Sequence, residues 1–238
     1  MDVAWLPAFA IVTMIVAAAS ALQAATGMGM ALVAAPLLTL VDPTLVPGPA
    51  LCAVIALSAA VAWRERGAID RGMLGTALAG LVAGSLIGAA ILVWLRGVSL
   101  VHVFAVAILA AVLLSVSGVH VRAGRLTLLI GGAAAGILGT MAGVHGPPIA
   151  IVLQHEPLDR LRATLCAFFT VGGAVSLLAL AGIGNFGIAQ IGAGVALLPG
   201  VAMGFALAPI IGRRIDRRRA RIMVLAISTL SAVVLLSH

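Results

Sequence analysis

The chain has 238 residues, of which 63% are hydrophobic and only 9% charged, where a soluble domain carries about 25% charged residues. Its net charge of +7 comes from arginines, with no lysine, set against seven acids. These arginines fall in short loops between apolar stretches, a pattern that fits membrane topology and excludes nucleic-acid binding as the meaning of the charge. The longest charged connection, Arg213–Arg221, is far too short for a soluble domain of even ~50 residues, so one membrane domain is expected to make up the whole protein.

In chain order, the first apolar stretch covers residues 3–41 and carries no charge. It is preceded by Asp2 instead of a basic segment, which reads as a retained segment and not as a cleaved secretory signal. Glycines interrupt it at Ala25-Thr26-Gly27-Met28-Gly29-Met30, and Pro36 follows. Three spans come next, at 45–63, 72–95 and 98–119, each near the ~20 residues a crossing needs. In the second of them Gly80, Gly84 and Gly88 recur every four residues, the spacing of a close helix-packing seam. A second broken stretch, 126–155, carries Gly139-Thr140-Met141-Ala142-Gly143-Val144-His145-Gly146-Pro147-Pro148. Spans at 162–181, 187–210 and 221–237 complete the chain. Cys52 and Cys166 lie inside apolar stretches and read as small packing residues, not as a disulfide framework.

Sliding the sequence against itself by 114 residues aligns Thr26 with Thr140, Gly29 with Gly143, Pro43 with Pro157 and Leu51-Cys52-Ala53 with Leu165-Cys166-Ala167. The triplet is the telling match, because the chain has only two cysteines. The expected halves are 1–119 and 120–238, each a broken hairpin followed by three spanning helices. If each broken stretch returns to the side it entered from, 13 of the 14 arginines share one side and Arg96 stands opposite. A single crossing by 126–155 would leave five against nine, so charge favours the hairpins and makes the arginine-rich side cytoplasmic. A hairpin plus three spans is an odd number of crossings, so the second half is inserted upside down. The expected fold is therefore an all-α polytopic membrane protein of two inverted repeats, with the two breaks meeting near the midplane, on the order of 10–12 Å apart.

Glycine and proline interrupt helices. An interrupted backbone in lipid has to be covered by protein or face a polar cavity. Where a helix restarts, its free N–H groups and positive dipole end favour an anion, and Pro147 or Pro148 suits the first turn of a restart. Close packing of small residues is the other reading of the same glycines. His145 is the one ionisable residue deep in an apolar stretch, which makes it a functional candidate; a structural hydrogen bond across the hairpin is its alternative. His102, His120 and His155 lie near segment ends and read as interfacial. No set of residues has metal-ligand spacing, and neither a catalytic set nor a cofactor is expected.

At its two glycine breaks the sequence resembles the TauE/SafE-type sulfite exporter family, whose size, duplicated membrane domain and Gly-rich, Pro-containing opening segments it shares. The resemblance implies transport across the cell membrane of a small anion such as sulfite, thiosulfate or an organosulfonate. With an anionic substrate implied, the two breaks are the expected binding site, at Thr26, Gly27, Gly29, Thr140, Gly143, His145, Gly146 and Pro147. Protons at His145 would be the coupling ion, and membrane lipids would meet the arginine loops. Two rivals stand beside it. One is a membrane-embedded enzyme using Ser117-Gly118, which lacks a Gly-x-Ser-Gly context. The other is a membrane subunit of a larger transport complex.

Overall fold

The structure, a computed structural model, describes residues 5–117, 121–212 and 217–236. Apart from an isolated bridge between Arg96 and Val98, these residues form helices, turns and short connections. The first broken stretch becomes α1 (Trp5–Thr26) and α2 (Met30–Val41), followed by a 3-10 turn at Pro43–Leu45. The three stretches expected to span next become α3 (Gly48–Arg64), α4 (Arg71–Trp94) and α5 (Leu100–Val116). The second broken stretch becomes α6 (Arg125–Ala142) and α7 (Gly146–Leu153). After it come α8 (Leu158–Gly182), α9 (Ile188–Ala196), α10 (Leu198–Gly212) and α11 (Arg217–Leu236).

Among the described residues, five stretches are long and apolar enough to cross a membrane: Pro7–Thr26, Arg71–Trp94, Arg125–Ala142, Leu158–Gly182 and Ile188–Ile210. The expected spans at 45–63, 98–119 and 221–237 appear as shorter apolar helices, Gly48–Arg64, Leu100–Val116 and Ile222–Leu236. The outside of the bundle is itself apolar. Leu86, Leu178 and Ile188 are 63%, 73% and 88% exposed, which is the surface of a protein solvated by lipid. Local chemistry sets several boundaries. The Asp70 carboxylate accepts from the Met73 N–H at 2.9 Å and starts α4. The expected span 187–210 is divided at Leu197, between α9 and α10, because Pro199 has no N–H and its ring crowds the carbonyl four residues earlier.

The glycine seam of α4 packs on α6. A Cβ at Gly80 would run into the Leu129 carbonyl, and one at Gly84 into the Ala133 carbonyl; at Gly88 it would meet Ile137 and Thr140. From the other side, Gly132 and Gly136 of α6 lie against the backbone of Ala77 and Leu81. Both residue numbers rise together, so the two helices run parallel. Gly200 and Gly204 of α10 make the same kind of contact with Thr13 and Ala17 of α1, also in parallel. By contrast, α3 and α8 are antiparallel, since Glu65 meets Arg162 while Ile55 meets Gly173.

These directions bear on sidedness. α1 and α3 both end beside Arg162, whereas α6 starts at the basic end marked by Arg125 and runs parallel to α4, away from Arg71. Gly67 and Asn185 are both exposed. A single cysteine at Gly67, in a background free of Cys52 and Cys166, is expected to resist an impermeant thiol reagent in intact cells, and one at Asn185 to react. The reverse labelling would overturn a cytoplasmic arginine-rich face. The companion positions Asp216 and His238 lie outside the described residues.

Candidate functional site

The first break is built by glycine. Gly27 and Gly29 have φ of 89° and 113°, backbone angles that other residues rarely adopt. The Thr26 hydroxyl lies 2.8 Å from both the Leu22 and the Met28 carbonyl and closes the turn. Val33 donates to the Gly29 carbonyl at 3.1 Å and opens α2. The N–H groups of Met30, Ala31 and Leu32 thereby have no acceptor within their own helix.

The second break ends α6 at Gly143, φ 75°, whose N–H donates to the Gly139 carbonyl at 2.8 Å. α7 then starts with His145 as its N-cap and Pro147 and Pro148 in its first turn. Two prolines there remove two of the three free donors that α2 has, and Gly146 keeps the remaining one. They also account for an orphan. A capping side chain ordinarily accepts from the second or third helical N–H; here neither exists, and the buried His145 Nδ1 has no hydrogen-bond partner.

The other edge of the His145 ring is well occupied. His145 is only 2% exposed, its ring lies over Gly139 where no Cβ would fit, and Nε2 sits 3.0 Å from the Ser176 hydroxyl. Ser176 also accepts from the Thr140 hydroxyl at 2.9 Å and lies 3.4 Å from that of Ser85. The cluster fastens the second break to α8 and α4. The histidine does make a structural hydrogen bond, but to α8 and not across the hairpin, and the residue also lines a cavity.

That cavity measures about 260 Å³, and both breaks line it. At ~30 Å³ per water, it has room for a small hydrated anion. Of the eight residues expected from sequence, Thr26, Gly29, Gly143, His145, Gly146 and Pro147 line it. Gly27 and Thr140 do not: Gly27 is buried against Arg162, and Thr140 is held by Ser176. Among the described residues that line the cavity there is no Arg, Asp or Glu. The wall continues past Phe169 to Gln154, Leu158, Leu161 and Val224, so the cavity extends to the arginine-bearing ends of α8 and α11.

The breaks face this space from different depths instead of meeting tip to tip. Gly27 lies on Arg162 and His145 beside Gly172, ten residues further along α8, or about 15 Å at 1.5 Å per residue. The reason is arm length. α1 and α6 have 22 and 18 residues, more than half a membrane thickness of about 30 Å, so each tip overshoots the middle.

Gln23 was not among the expected residues, yet it lines the cavity and donates to the Ser58 hydroxyl at 2.8 Å. It is the one amide side chain in the uncharged stretch 3–41, a signal hidden by attention to ionisable groups. Ser117 is exposed and bonded to the Leu114 carbonyl at the end of α5; Gly118 lies outside the described residues. Among the described residues, no group of three or more His, Cys, Asp or Glu side chains is placed to hold a metal ion. In comparisons with known proteins, the family model described as "Sulfite exporter TauE/SafE" matches residues 12–235. No curated protein and no solved structure gives a match.

Proposed function

This chain belongs to the sulfite exporter TauE/SafE family, and from that premise we propose that it carries a small sulfur oxyanion or organosulfonate through the cavity between its two broken hairpins. The family is one of membrane transporters, not of enzymes. One observation carries the site: two helix restarts border one cavity, and among the described residues that line it there is no Arg, Asp or Glu. Positive potential then comes from the free amides of Met30, Ala31, Leu32 and Gly146, acting with the dipoles of α2 and α7. His145 contributes a further polar group. The same donors suit sulfite, thiosulfate and small sulfonates, which share a compact face of negative oxygens.

The reading includes two inverted repeats, 1–119 and 120–238, in the cell membrane. It is supported by the antiparallel run of α3 and α8, which correspond under the 114-residue shift. The packing partners support it too: exchanging the halves turns the α4–α6 pair into α10–α1, and both pairs are among the closest in the bundle.

The test is flux of labelled sulfite in proteoliposomes holding only this chain. Saturable flux is expected. Turnover of sulfite without flux would replace the reading with an enzyme, and neither activity alone would point to a subunit of a larger complex. We assign proton coupling to His145 within the same assay. His145→Gln should keep sulfite binding and flatten the pH dependence of flux; an unchanged pH profile removes that role and leaves the anion site standing.

A further inference from the structure

The first break carries a charge that the cavity wall does not show. α1 ends there, and a helix C-terminus brings about half a negative charge from its unpaired carbonyls. Left alone, that charge would sit beside the amides of α2 and cancel much of their attraction for an anion. Arg162 of α8 occupies this position. Its Nη1 lies 3.5 Å from the Ala25 carbonyl, and its stem lies against Gly27, where an added Cβ would come within 3.0 Å of the Arg162 Cα and Cγ. Its Nε donates to Glu65 Oε2 at 2.7 Å, and both side chains are largely shielded, at 23% and 14% exposed. Glu65 also meets Arg64 at 3.2 Å. The position equivalent to Arg162 under the 114-residue shift is Gly48, so the second break has no arginine at the matching place.

We propose that Arg162, oriented by Glu65, neutralises the negative end of α1 and so sets the sign of the potential felt by an anion at Gly29–Leu32. Arg162 is a positioning residue. It lies outside the cavity wall and acts through the backbone of the break. The glycine at position 27 is part of the device, since only a residue without a side chain lets the guanidinium stem lie on the turn. The inference rests on the reading that the cavity takes an anion.

Charge and scaffold make opposite predictions for the two members of this pair. Arg162→Gln removes the cation and uncovers the Ala25 carbonyl. Glu65→Gln keeps an acceptor for Nε but removes the negative charge, leaving Arg162 in place. Sulfite titrated into the detergent-purified full chain should bind about tenfold more weakly to Arg162→Gln, the scale of a charge at a partly buried helix end. It should bind more tightly to Glu65→Gln. A purely structural salt bridge predicts that both variants weaken binding. Should Arg162→Gln fail to fold, the double variant with both glutamines, which buries no lone charge, is expected to bind more weakly than Glu65→Gln and than the wild type.

Weaker or unchanged sulfite affinity in Glu65→Gln overturns the proposal even where the wild type binds. So does wild-type affinity in Arg162→Gln or in the double variant. Absence of binding to the wild-type chain by sulfite and by thiosulfate removes the anion reading itself, and this inference with it.

Discussion

Replacing Gly146 with leucine is expected to lower sulfite flux in proteoliposomes roughly a hundredfold, equivalent to ~2.7 kcal/mol of lost binding, while the protein still purifies as a folded species. Gly146 stands first in α7 and lines the cavity. A Cβ added there finds only the Phe169 ring, at 3.8 Å, an ordinary contact, and no left-handed backbone is required. A leucine is thus tolerated by the chain but fills the space an anion would use and covers the one free amide of that turn. Gly27, Gly29 and Gly143 are poor choices for the same experiment. Each has positive φ, so losing flux there would not separate a blocked site from a strained turn. Flux and binding equal to the wild type in Gly146→Leu would remove the cavity from the pathway.

The largest effect on stability should come from Gly84→Val. The first added carbon collides with the carbonyl, carbonyl carbon and Cα of Ala133, all of them backbone, so no side chain can turn aside. Overpacking a core usually costs about 1–3 kcal/mol because neighbours adjust; here α4 and α6 must separate along their seam, and the upper end or beyond is expected. Size-exclusion of the detergent-solubilised protein should show little monodisperse material. Gly75→Ala is the control: it lies on the same helix with nothing within 4 Å of its Cβ, and should raise the midpoint of thermal aggregation slightly by restricting the unfolded chain. A normal elution profile for Gly84→Val would mean that the α4–α6 contact is looser than described.

Much of this fold could be read directly from residues. Spans of uncharged sequence located α3, α4, α5, α8 and α11 within a few residues, because a crossing segment cannot hide a charge in lipid. Gly27, Gly29, Gly143 and the prolines after His145 marked both interruptions, since backbone freedom and missing N–H groups are properties of single residues. The seam of Gly80, Gly84 and Gly88 was visible as a face, but its partner α6 was not. Which helix a face meets depends on long-range packing that no local period encodes. The same limit hid Arg162, which looked like one more loop arginine until α8 carried it beneath Gly27. Ser85, Thr140 and Ser176 were equally hard to single out. A hydroxyl in an apolar helix usually bonds its own backbone, and only the fold joins these three to one histidine. The division at Leu197 was legible in Pro199 and was passed over for the length of the apolar run.

The two glycine seams also decide which parts can move together. In each, glycines bring backbone against backbone, so α4 is expected to stay with α6 and α10 with α1 in any rearrangement that opens or closes the cavity. Each couple takes one member from either half of the chain. Under the proposed transport function, the moving parts are expected to cut across the two proposed repeats: a transport stroke would shift the α1–α10 couple against the α4–α6 couple. Residues 1–119 and 120–238 are threaded through one another by these contacts, so neither half is expected to swing as a unit or to be dissected away with its own tip and wall intact.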